Sequence, residues 1–352
     1  MKRKFVFPLL SLVLFMIVLS DIRDASACTR VVYQGPGNTV ITARSMDWKS
    51  EIPANLWIFP AGLEREGVVG PNSIKWKSKY GSVIASAWDI ATADGMNEKG
   101  LVANILWLAE TEYPPYDING SMKGLSVAAW AQYVLDNFAT VAEAVEELRR
   151  EDFVVVSSFI PGTDRFSTLH LSISDAGGDN AIFEYIDGEL VIHHDRSYNV
   201  MTNSPVFEEQ LALNNYWKNI PGTLFLPGTN RAADRFVRAS YYIDAIPATD
   251  NTRVAVASVF SVIRNCSVPY GIETRDEPNI STTRWRSVSD QKNLVYYFET
   301  ALTPNTFWVD MKDIDFGNGM PVRKLDLGNA GIYAGNTVGQ FVESPAFEFA
   351  GL

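Results

Sequence analysis

Apolar and polar residues alternate with a period of two in many short segments after residue 28, which is the pattern of half-buried β-strands. The first two segments, 29–33 and 39–44, are joined by the turn-like residues 34–38 and predict a β-hairpin. Asp187-Gly188 predicts a turn between two later strands. The further predicted strands are 82–87, 100–106, 153–159, 168–174, 181–186, 190–194, 285–288, 293–299 and 306–311.

Five segments have apolar residues at helical spacing instead: 126–137, 140–150, 206–217, 232–246 and 251–265. Thr140 stands three residues before Glu143, the spacing of a capping box at a helix start. These helices lie between groups of strands and do not follow every strand. The order therefore favours an α+β fold, with antiparallel sheets and helices packed outside them.

The N-terminus has a different pattern. Residues 2–4 are basic, residues 5–20 are almost wholly apolar, and Ala25-Ser26-Ala27 matches the small-residue pattern that signal peptidase cuts after. The apolar run has sixteen residues, whereas a membrane-spanning helix needs about 20. We therefore predict a signal peptide at 1–27, a single mature domain at 28–352, and a secreted protein with no membrane attachment after cleavage. A membrane anchor or a lipid on Cys28 are the alternatives.

Composition and net charge narrow the classes of binding partner. The chain has 352 residues, of which 47% are hydrophobic and 20% charged, as in ordinary globular proteins. Its formal charge is −11, and removal of residues 1–27, with four basic and two acidic side chains, makes it −13. An acidic protein of this kind is not expected to bind nucleic acid.

Histidine is scarce, which removes several kinds of chemistry. The three histidines are His170, His193 and His194, so a His-Glu-x-x-His zinc motif is impossible. Neither a Gly-x-Ser-x-Gly nucleophile elbow nor a phosphate-binding loop occurs in the sequence. We expect no metal and no cofactor. His193 and His194 are neighbours on a predicted strand and point to opposite faces, so at most one could serve a given site.

The two cysteines, Cys28 and Cys266, could form a disulfide in an oxidising compartment. Cys28 also has a catalytic interpretation. If cleavage after residue 27 makes it the first residue, its α-amine has a pKa near 8 and can accept the thiol proton without a histidine. Arg44 and Asp47, on the strand that pairs back toward Cys28, supply a cation that would lower the pKa of this amine and an acceptor that would orient it. A solvated ion pair is the alternative for these two residues. Cys266 lies in an apolar helical segment and is expected to be an inert buried thiol.

Five motifs in this order resemble the choloylglycine hydrolase family, which comprises bile salt hydrolases and penicillin V acylases among the N-terminal nucleophile hydrolases. The resemblance covers nearly the whole mature chain and implies a four-layer αββα sandwich of two antiparallel sheets. It also implies a small N-acyl amide as substrate. The motifs are Cys28-Thr29-Arg30, Ala43-Arg44-Ser45-Met46-Asp47-Trp48, Met96-Asn97-Glu98-Lys99-Gly100-Leu101, Thr202-Asn203-Ser204-Pro205 and Arg235-Phe236-Val237-Arg238.

The resemblance also implies roles for individual residues. Cys28 is the nucleophile and its α-amine the base, Arg44 tunes the thiol, and Asp47 binds the amine. Asn203 donates to the oxyanion, and Arg235 supports the site electrostatically. Without the resemblance, Asn203 before Ser-Pro would be typical of a turn.

Two departures from the family pattern bear on the substrate and on the contact between subunits of the family tetramer, respectively. Where bile salt hydrolases carry a site Asn, this chain has Trp107, whose backbone N–H can still serve the oxyanion hole. Its indole and that of Trp48 would line the pocket and favour flat aromatic or slim acyl groups over a steroid, although ordinary core packing is the alternative for both. Only 31 residues separate Asn203 from Arg235, a segment that in related Gram-positive enzymes is longer and clasps neighbouring subunits.

Both departures, together with the signal peptide, resemble the Gram-negative penicillin V acylase branch, which is also similar to N-acyl homoserine lactone acylases. We therefore expect a periplasmic amidase of this type. A homo-oligomer is expected, with the tetramer of the family as one option. The alternatives are a bile salt hydrolase and a non-catalytic secreted binding protein or lipoprotein.

Overall fold

The computed structural model describes residues 27–273, 275, 280–303, 305–329 and 331–352. Apart from Ala27, the predicted signal peptide at 1–27 lies outside the described residues. In the described part, no helix combines the length and apolar character that a membrane span requires.

Two large sheets make up the centre of the fold. In chain order, the strands are β1 (Thr29–Gly35), β2 (Thr39–Trp48), β3 (Leu56–Phe59), β4 (Glu64–Glu66), β5 (Lys75–Lys77), β6 (Ser82–Ala87), β7 (Ala91–Asn97), β8 (Val102–Trp107), β9 (Lys123–Ser126), β10 (Phe153–Val156), β11 (Leu169–Ser174), β12 (Asn180–Ile186), β13 (Glu189–His194), β14 (Val200–Met201), β15 (Thr282–Asp290), β16 (Val295–Thr300), β17 (Phe307–Asp310), β18 (Arg323–Leu325), β19 (Gly335–Asn336) and β20 (Val342–Glu343).

Neighbouring strands of the first sheet have the order β14-β1-β2-β15-β16-β17-β19, and those of the second β13-β12-β11-β8-β7-β6-β3-β18-β20. Pairs in both sheets are antiparallel except β17–β19. Two small ribbons, β4–β5 and the parallel pair β9–β10, stand apart from them. The prediction of two antiparallel sheets is confirmed, with parallel pairing confined to short segments.

The helices are α1 (Val127–Asn137), α2 (Val141–Leu148), α3 (Phe207–Trp217), α4 (Ala232–Ala245) and α5 (Thr252–Asn265). Helices α4 and α5 pack on the seven-stranded sheet, and α1 packs on β7 and β8 of the nine-stranded sheet. One apolar core includes residues of both sheets and of α4 and α5, while a second lies between the nine-stranded sheet and α1 and α2. The layers are thus α, β, β and α, as predicted.

Strand β2 shows why buried and exposed residues do not alternate in the central strands of such a sandwich. Nine of its ten residues are buried, because one face meets the other sheet and the other face meets helices. Thr42 contacts Ser174 and Arg44 contacts Ala93, both in the nine-stranded sheet. Asp47, three positions after Arg44, therefore lies on the opposite face, toward the helices.

Local signals are also confirmed. The β1–β2 hairpin turns through Gly37 and Asn38, whose φ angles of 63° and 57° are left-handed. Asp187 and Gly188 form the turn between β12 and β13. Thr140 accepts the Glu143 N–H at 3.2 Å in the predicted capping box.

Some strand bounds, and the number of strands, differ from the predictions. The predicted strand 153–159 ends at Val156, because the chain then leaves its pairing with β9. Strands β3 and β7 were not predicted, and both occupy interior positions of the nine-stranded sheet.

Candidate active site

Cys28 immediately precedes β1 at the end of an apolar pocket. The residue is 2% exposed, and the pocket, which lies between the sheets and adjoining loops, has a cavity volume of about 100 Å³. Aliphatic and aromatic side chains provide most of the lining, as in sites that bind an apolar acyl group. Apolar wall residues include Met46, Trp48, Trp88, Ile105, Trp107 and Leu169.

The Cys28 sulfur lies next to a guanidinium. Nη2 of Arg44 is 3.9 Å from Sγ, and the same nitrogen is 3.4 Å from the Met46 sulfur. The other amino group of Arg44 donates to the Ala93 carbonyl at 2.6 Å, and its guanidinium stacks 4.9 Å from the centre of the Trp285 ring. Arg44 is thus fixed with its positive charge beside the candidate nucleophile, where a cation favours the thiolate.

Asn203 and Arg235 hold the backbone of Cys28. The Cys28 nitrogen donates to Oδ1 of Asn203 at 2.5 Å. Arg235 donates to that same oxygen at 2.8 Å, to the Cys28 carbonyl at 2.5 Å and to the Thr29 hydroxyl at 2.6 Å. Nδ2 of Asn203 donates to the Trp107 carbonyl at 2.7 Å. These bonds join β1, β8, α4 and the segment before α3 at one point.

Asp47 lies on the helix side of Cys28 and is fully buried. Burial raises the pKa of its carboxyl to about 6, against the opposing effects of Arg235 and of hydrogen bonds from Thr283 and Ser45. The Thr283 hydroxyl donates to Oδ1 at 2.5 Å and the Ser45 hydroxyl to Oδ2 at 3.2 Å. A carboxyl with this pKa is mostly ionised at neutral pH and can hold a cationic amine.

Two indoles form one wall of the pocket. The rings of Trp48 and Trp107 are 5.5 Å apart and tilted by 60°. At the mouth, the exposed rings of Phe159 and Phe166 stack at 4.1 Å, and Phe159 also lines the pocket. The lining of the pocket therefore includes an exposed aromatic ring, Phe159, as well as the two indoles.

Comparison with known proteins identifies the family of this chain. Residues 28–324 match the model of linear amide C–N hydrolases of the choloylglycine hydrolase family. The chain belongs to the choloylglycine hydrolase family. It is therefore a hydrolase of linear amide C–N bonds.

Individual relatives agree with this family. A penicillin V acylase of Pectobacterium atrosepticum is 55% identical over 348 residues, 93% of each chain. A bile salt hydrolase/transferase of Clostridium perfringens is 30% identical, over 59% of this chain and 69% of its own. The structure of a penicillin V acylase from Agrobacterium tumefaciens, 60% identical, covers 92% of this chain and 100% of its own with a TM-score of 0.86.

A more distant structure supports the fold alone. A mutant of the conjugated bile acid hydrolase from Clostridium perfringens is 23% identical and covers 87% of this chain and 99% of its own, with a TM-score of 0.73. The predicted family and the predicted αββα fold are both confirmed by these comparisons.

The structure brings the five predicted catalytic residues of this hydrolase, Cys28, Arg44, Asp47, Asn203 and Arg235, into one cluster. Their individual roles stay predictions. The Cys28 nitrogen donates to Asn203, and Asp47 contacts Cys28 through its backbone carbonyl oxygen, which lies 3.8 Å from Sγ.

The disulfide alternative is wrong for the described structure. Cys28 and Cys266 are both free and buried. Cys266 is the C-cap of α5 and has its sulfur 3.9 Å from the Arg235 carbonyl oxygen, and burial raises the pKa of its thiol to about 11.

The histidines make structural contacts. His170 and His193 both contact the buried carboxylate of Glu184, at 3.0 and 3.3 Å. His194 contacts Asp179 at 2.8 Å. As predicted, His193 and His194 have different surroundings.

Sequence reasoning missed two residues that bear on the site. Thr283 lies opposite Asp47 in the β2–β15 pairing, and nothing in its local sequence marks it. Asp94 is a fully buried carboxyl on β7, beside the Ala93 carbonyl that holds Arg44. Asp94 stands in a segment, Ala91–Asn97, whose mixed residues did not predict a strand, so its local sequence did not mark it either.

Proposed function

We propose that this hydrolase is an N-terminal cysteine acylase that prefers a flat aromatic or slim acyl group, with penicillin V as its diagnostic substrate. N-acyl homoserine lactones are proposed as natural substrates. The observation that carries the proposal is the apolar pocket that ends at the Cys28 sulfur and is walled by Trp48 and Trp107. A phenoxyacetyl group or a straight acyl chain can pack against these indoles, whereas a steroid needs a broader cavity.

Processing would create the base. In the full-length chain the Cys28 nitrogen is a peptide nitrogen that follows Ala27. Cleavage after Ala27 would turn it into an α-amine with a pKa near 8, held by Asn203 through the bond described above. This amine takes the thiol proton, and Arg44 favours the resulting thiolate.

Acyl transfer then follows. The thiolate adds to the amide carbonyl, and the C–N bond breaks as the α-ammonium returns its proton to the leaving amine. An amide nitrogen carries two hydrogens, so Nδ2 of Asn203 can hold the Trp107 carbonyl with one and donate to the oxyanion with the other. The Trp107 N–H is the proposed second donor. Water, deprotonated by the same α-amine, hydrolyses the thioester and restores the thiol.

The relatives support this substrate class. The two acylases named for penicillin V match almost the whole chain at 55% and 60% identity. The bile salt hydrolase/transferase matches 59% of it at 30% identity. Conjugated bile salts are therefore the competing substrate class.

We also propose that the enzyme is exported to the periplasm of a Gram-negative bacterium with its first 27 residues removed, and that it is a homo-oligomer. Intact mass of the enzyme purified from periplasm tests the processing. A mass beginning at unmodified Cys28 with two titratable thiols is expected. A diacylglycerol addition or retained residues 1–27 would refute this part, and light scattering gives the subunit number.

A substrate panel tests the activity. Purified processed enzyme is assayed with penicillin V, a long-chain acyl homoserine lactone and glycocholate, and the Cys28→Ser variant serves as the matched control. We expect penicillin V and the lactone to be hydrolysed with kcat/KM well above that of glycocholate, and Cys28→Ser to be nearly inactive. Efficient glycocholate hydrolysis with little penicillin V turnover would refute the proposed specificity, and full activity of Cys28→Ser would refute the nucleophile.

A further inference from the structure

A buried carboxyl between the two sheets takes no part in the mechanism above. Asp94 on β7 is 0% exposed. Its Oδ2 accepts hydrogen bonds from Nδ2 of Asn104 at 2.5 Å and from the Ser287 hydroxyl at 3.1 Å, and its Oδ1 accepts from the Tyr296 hydroxyl. A carboxyl that only accepts hydrogen bonds has the environment of an ionised carboxylate.

Arg44 carries the positive charge that acts on the Asp94 carboxyl. One amino group of Arg44 donates to the carbonyl of Ala93, the residue before Asp94, and the other lies 3.9 Å from the Cys28 sulfur. Ser287, which donates to Asp94, is the cross-strand partner of Arg44. The Arg44 guanidinium therefore lies between the Cys28 sulfur and the backbone beside Asp94.

Opposing influences act on the charge of Asp94. Burial raises the pKa of its carboxyl above the ordinary value, and Arg44 and the three hydrogen-bond donors offset part of that rise. Among the other charges near Cys28, Arg235 and Arg286 lie on the helix side and influence Asp47. Buried Arg30 on β1 instead faces the nine-stranded sheet, where it donates to Ile173 and Asn180. Tyr296 is the titratable group that contacts Asp94 directly, and burial keeps its pKa well above the ordinary value.

We propose that Asp94 is a positioning residue for the hydrolysis, a counter-charge near Arg44 that limits how strongly its guanidinium favours the Cys28 thiolate. Beside a guanidinium without a counter-charge, a larger fraction of the Cys28 side chain would be thiolate at low pH. The thiolate would then be less basic, and a less basic thiolate is a weaker nucleophile. With Asp94 in place, Arg44 favours ionisation of the thiol while leaving the thiolate reactive.

The Asp94→Asn variant tests this. It keeps the size of the side chain and removes the charge. The rate of Cys28 alkylation by iodoacetamide is measured against pH in the processed enzyme, with Cys28→Ser as the blank for Cys266. We expect the midpoint to move to lower pH by about half a unit or more, and the plateau rate at high pH to fall a little under about two-fold. An unchanged midpoint would refute the inference.

A second background shows whether Asp94 acts through Arg44. In the Arg44→Gln protein, a buried Asp94 without its cation takes up a proton, so adding Asp94→Asn should leave the midpoint unchanged. A similar shift in both backgrounds would contradict the proposed coupling.

If the Asp94→Asn protein does not fold, the same measurement is made on the Tyr296→Phe variant. This variant removes one donor from Asp94 and is expected to shift the midpoint in the same direction by a smaller amount. A folded Tyr296→Phe enzyme with a wild-type midpoint would then refute the inference. The inference rests on Cys28 as the proposed nucleophile, and alkylation reads that thiol without a substrate. A wrong substrate proposal would therefore leave this test unaffected.

Discussion

Thr283 offers a direct test of the charge on Asp47. Its hydroxyl donates to Oδ1 of Asp47 at 2.5 Å and accepts the Val268 N–H at 2.9 Å. The Thr283→Val substitution keeps the shape of the side chain and removes the hydroxyl. The ionised form of Asp47 then loses a hydrogen bond, while Ser45 and Arg235 remain.

The size of the effect can be worked out from the structure. A hydrogen bond to a charged group contributes about 1.5–3 kcal/mol, and about 1.36 kcal/mol corresponds to one pKa unit. The pKa of Asp47, about 6 in the intact protein, should therefore rise to about 7–8 in Thr283→Val. At pH 7, the ionised fraction would fall from about nine-tenths to about a quarter at the middle of this range.

The assay is the pH dependence of kcat/KM for penicillin V with processed enzyme. The role predicted for Asp47 is to hold the α-amine in its ionised form, so activity on the acid limb should fall in proportion to the ionised fraction of Asp47. Activity at pH 7 should fall about four-fold and recover as pH rises past the new pKa. The α-ammonium made by processing also lowers the pKa of Asp47, but it does so in both proteins, so the difference between them persists.

Thr283→Ser is the matched control. It keeps the hydroxyl and its bonds to Asp47 and Val268, and its acid limb should coincide with that of the wild type. Thr283→Val also leaves the Val268 N–H without its acceptor, at about 1–3 kcal/mol of stability, so both variants are compared well below their melting temperatures. A loss of activity in Thr283→Val that is equal at every pH would refute the reasoning about Asp47.

Three further predictions concern the pocket and the fold. Trp107→Ala removes the indole packed on Trp48 and should raise KM for penicillin V about ten-fold, while glycocholate turnover relative to penicillin V increases; steady-state kinetics on both substrates measure this. Cys266→Ala should keep kcat/KM within about two-fold, because a buried thiol with a pKa of about 11 remains protonated and inert at neutral pH; the same assay measures it, and a larger loss would contradict an inert role. Asp89→Ala removes the acceptor of hydrogen bonds from four side chains and should lower unfolding stability by about 1–3 kcal/mol, which urea denaturation measures.

Much of the fold could be predicted because its signals are local. Period-two alternation predicted strand β6 at its observed bounds, Ser82–Ala87, and helical spacing predicted all five helices within a few residues of their ends. Strand β7 was missed because it contains Asp94 and Gly95, which are poor strand formers. Its sheet neighbours override that preference. A Cβ on Gly95 would lie 2.5 Å from the side chain of Ile84, so the close approach of the two strands requires glycine at this position.

The residues of the candidate site likewise divide into those that local sequence predicts and those that it does not. Cys28, Arg44 and Asp47 could be predicted together because one hairpin carries them. Asn203 and Arg235 came from the family resemblance. Thr283 and Asp94 could not be predicted, since their roles arise from pairing between strands that are far apart in the chain.

Side chains of β2 alternate between its two faces, so the pair Arg44 and Asp94 and the pair Asp47 and Arg235 should affect the site independently. Arg44 faces the other sheet and Asp94, whereas Asp47 faces the helices and Arg235, and Cys28 lies at the end of the adjacent strand between them. The hydrogen-bond partners of the two carboxyl groups are different residues. Substitutions without shared partners usually have additive effects. Asp94→Asn should therefore move the Cys28 alkylation midpoint equally with or without Thr283→Val, and a shift that depends on Thr283 would mean that the two faces of the strand form one coupled network.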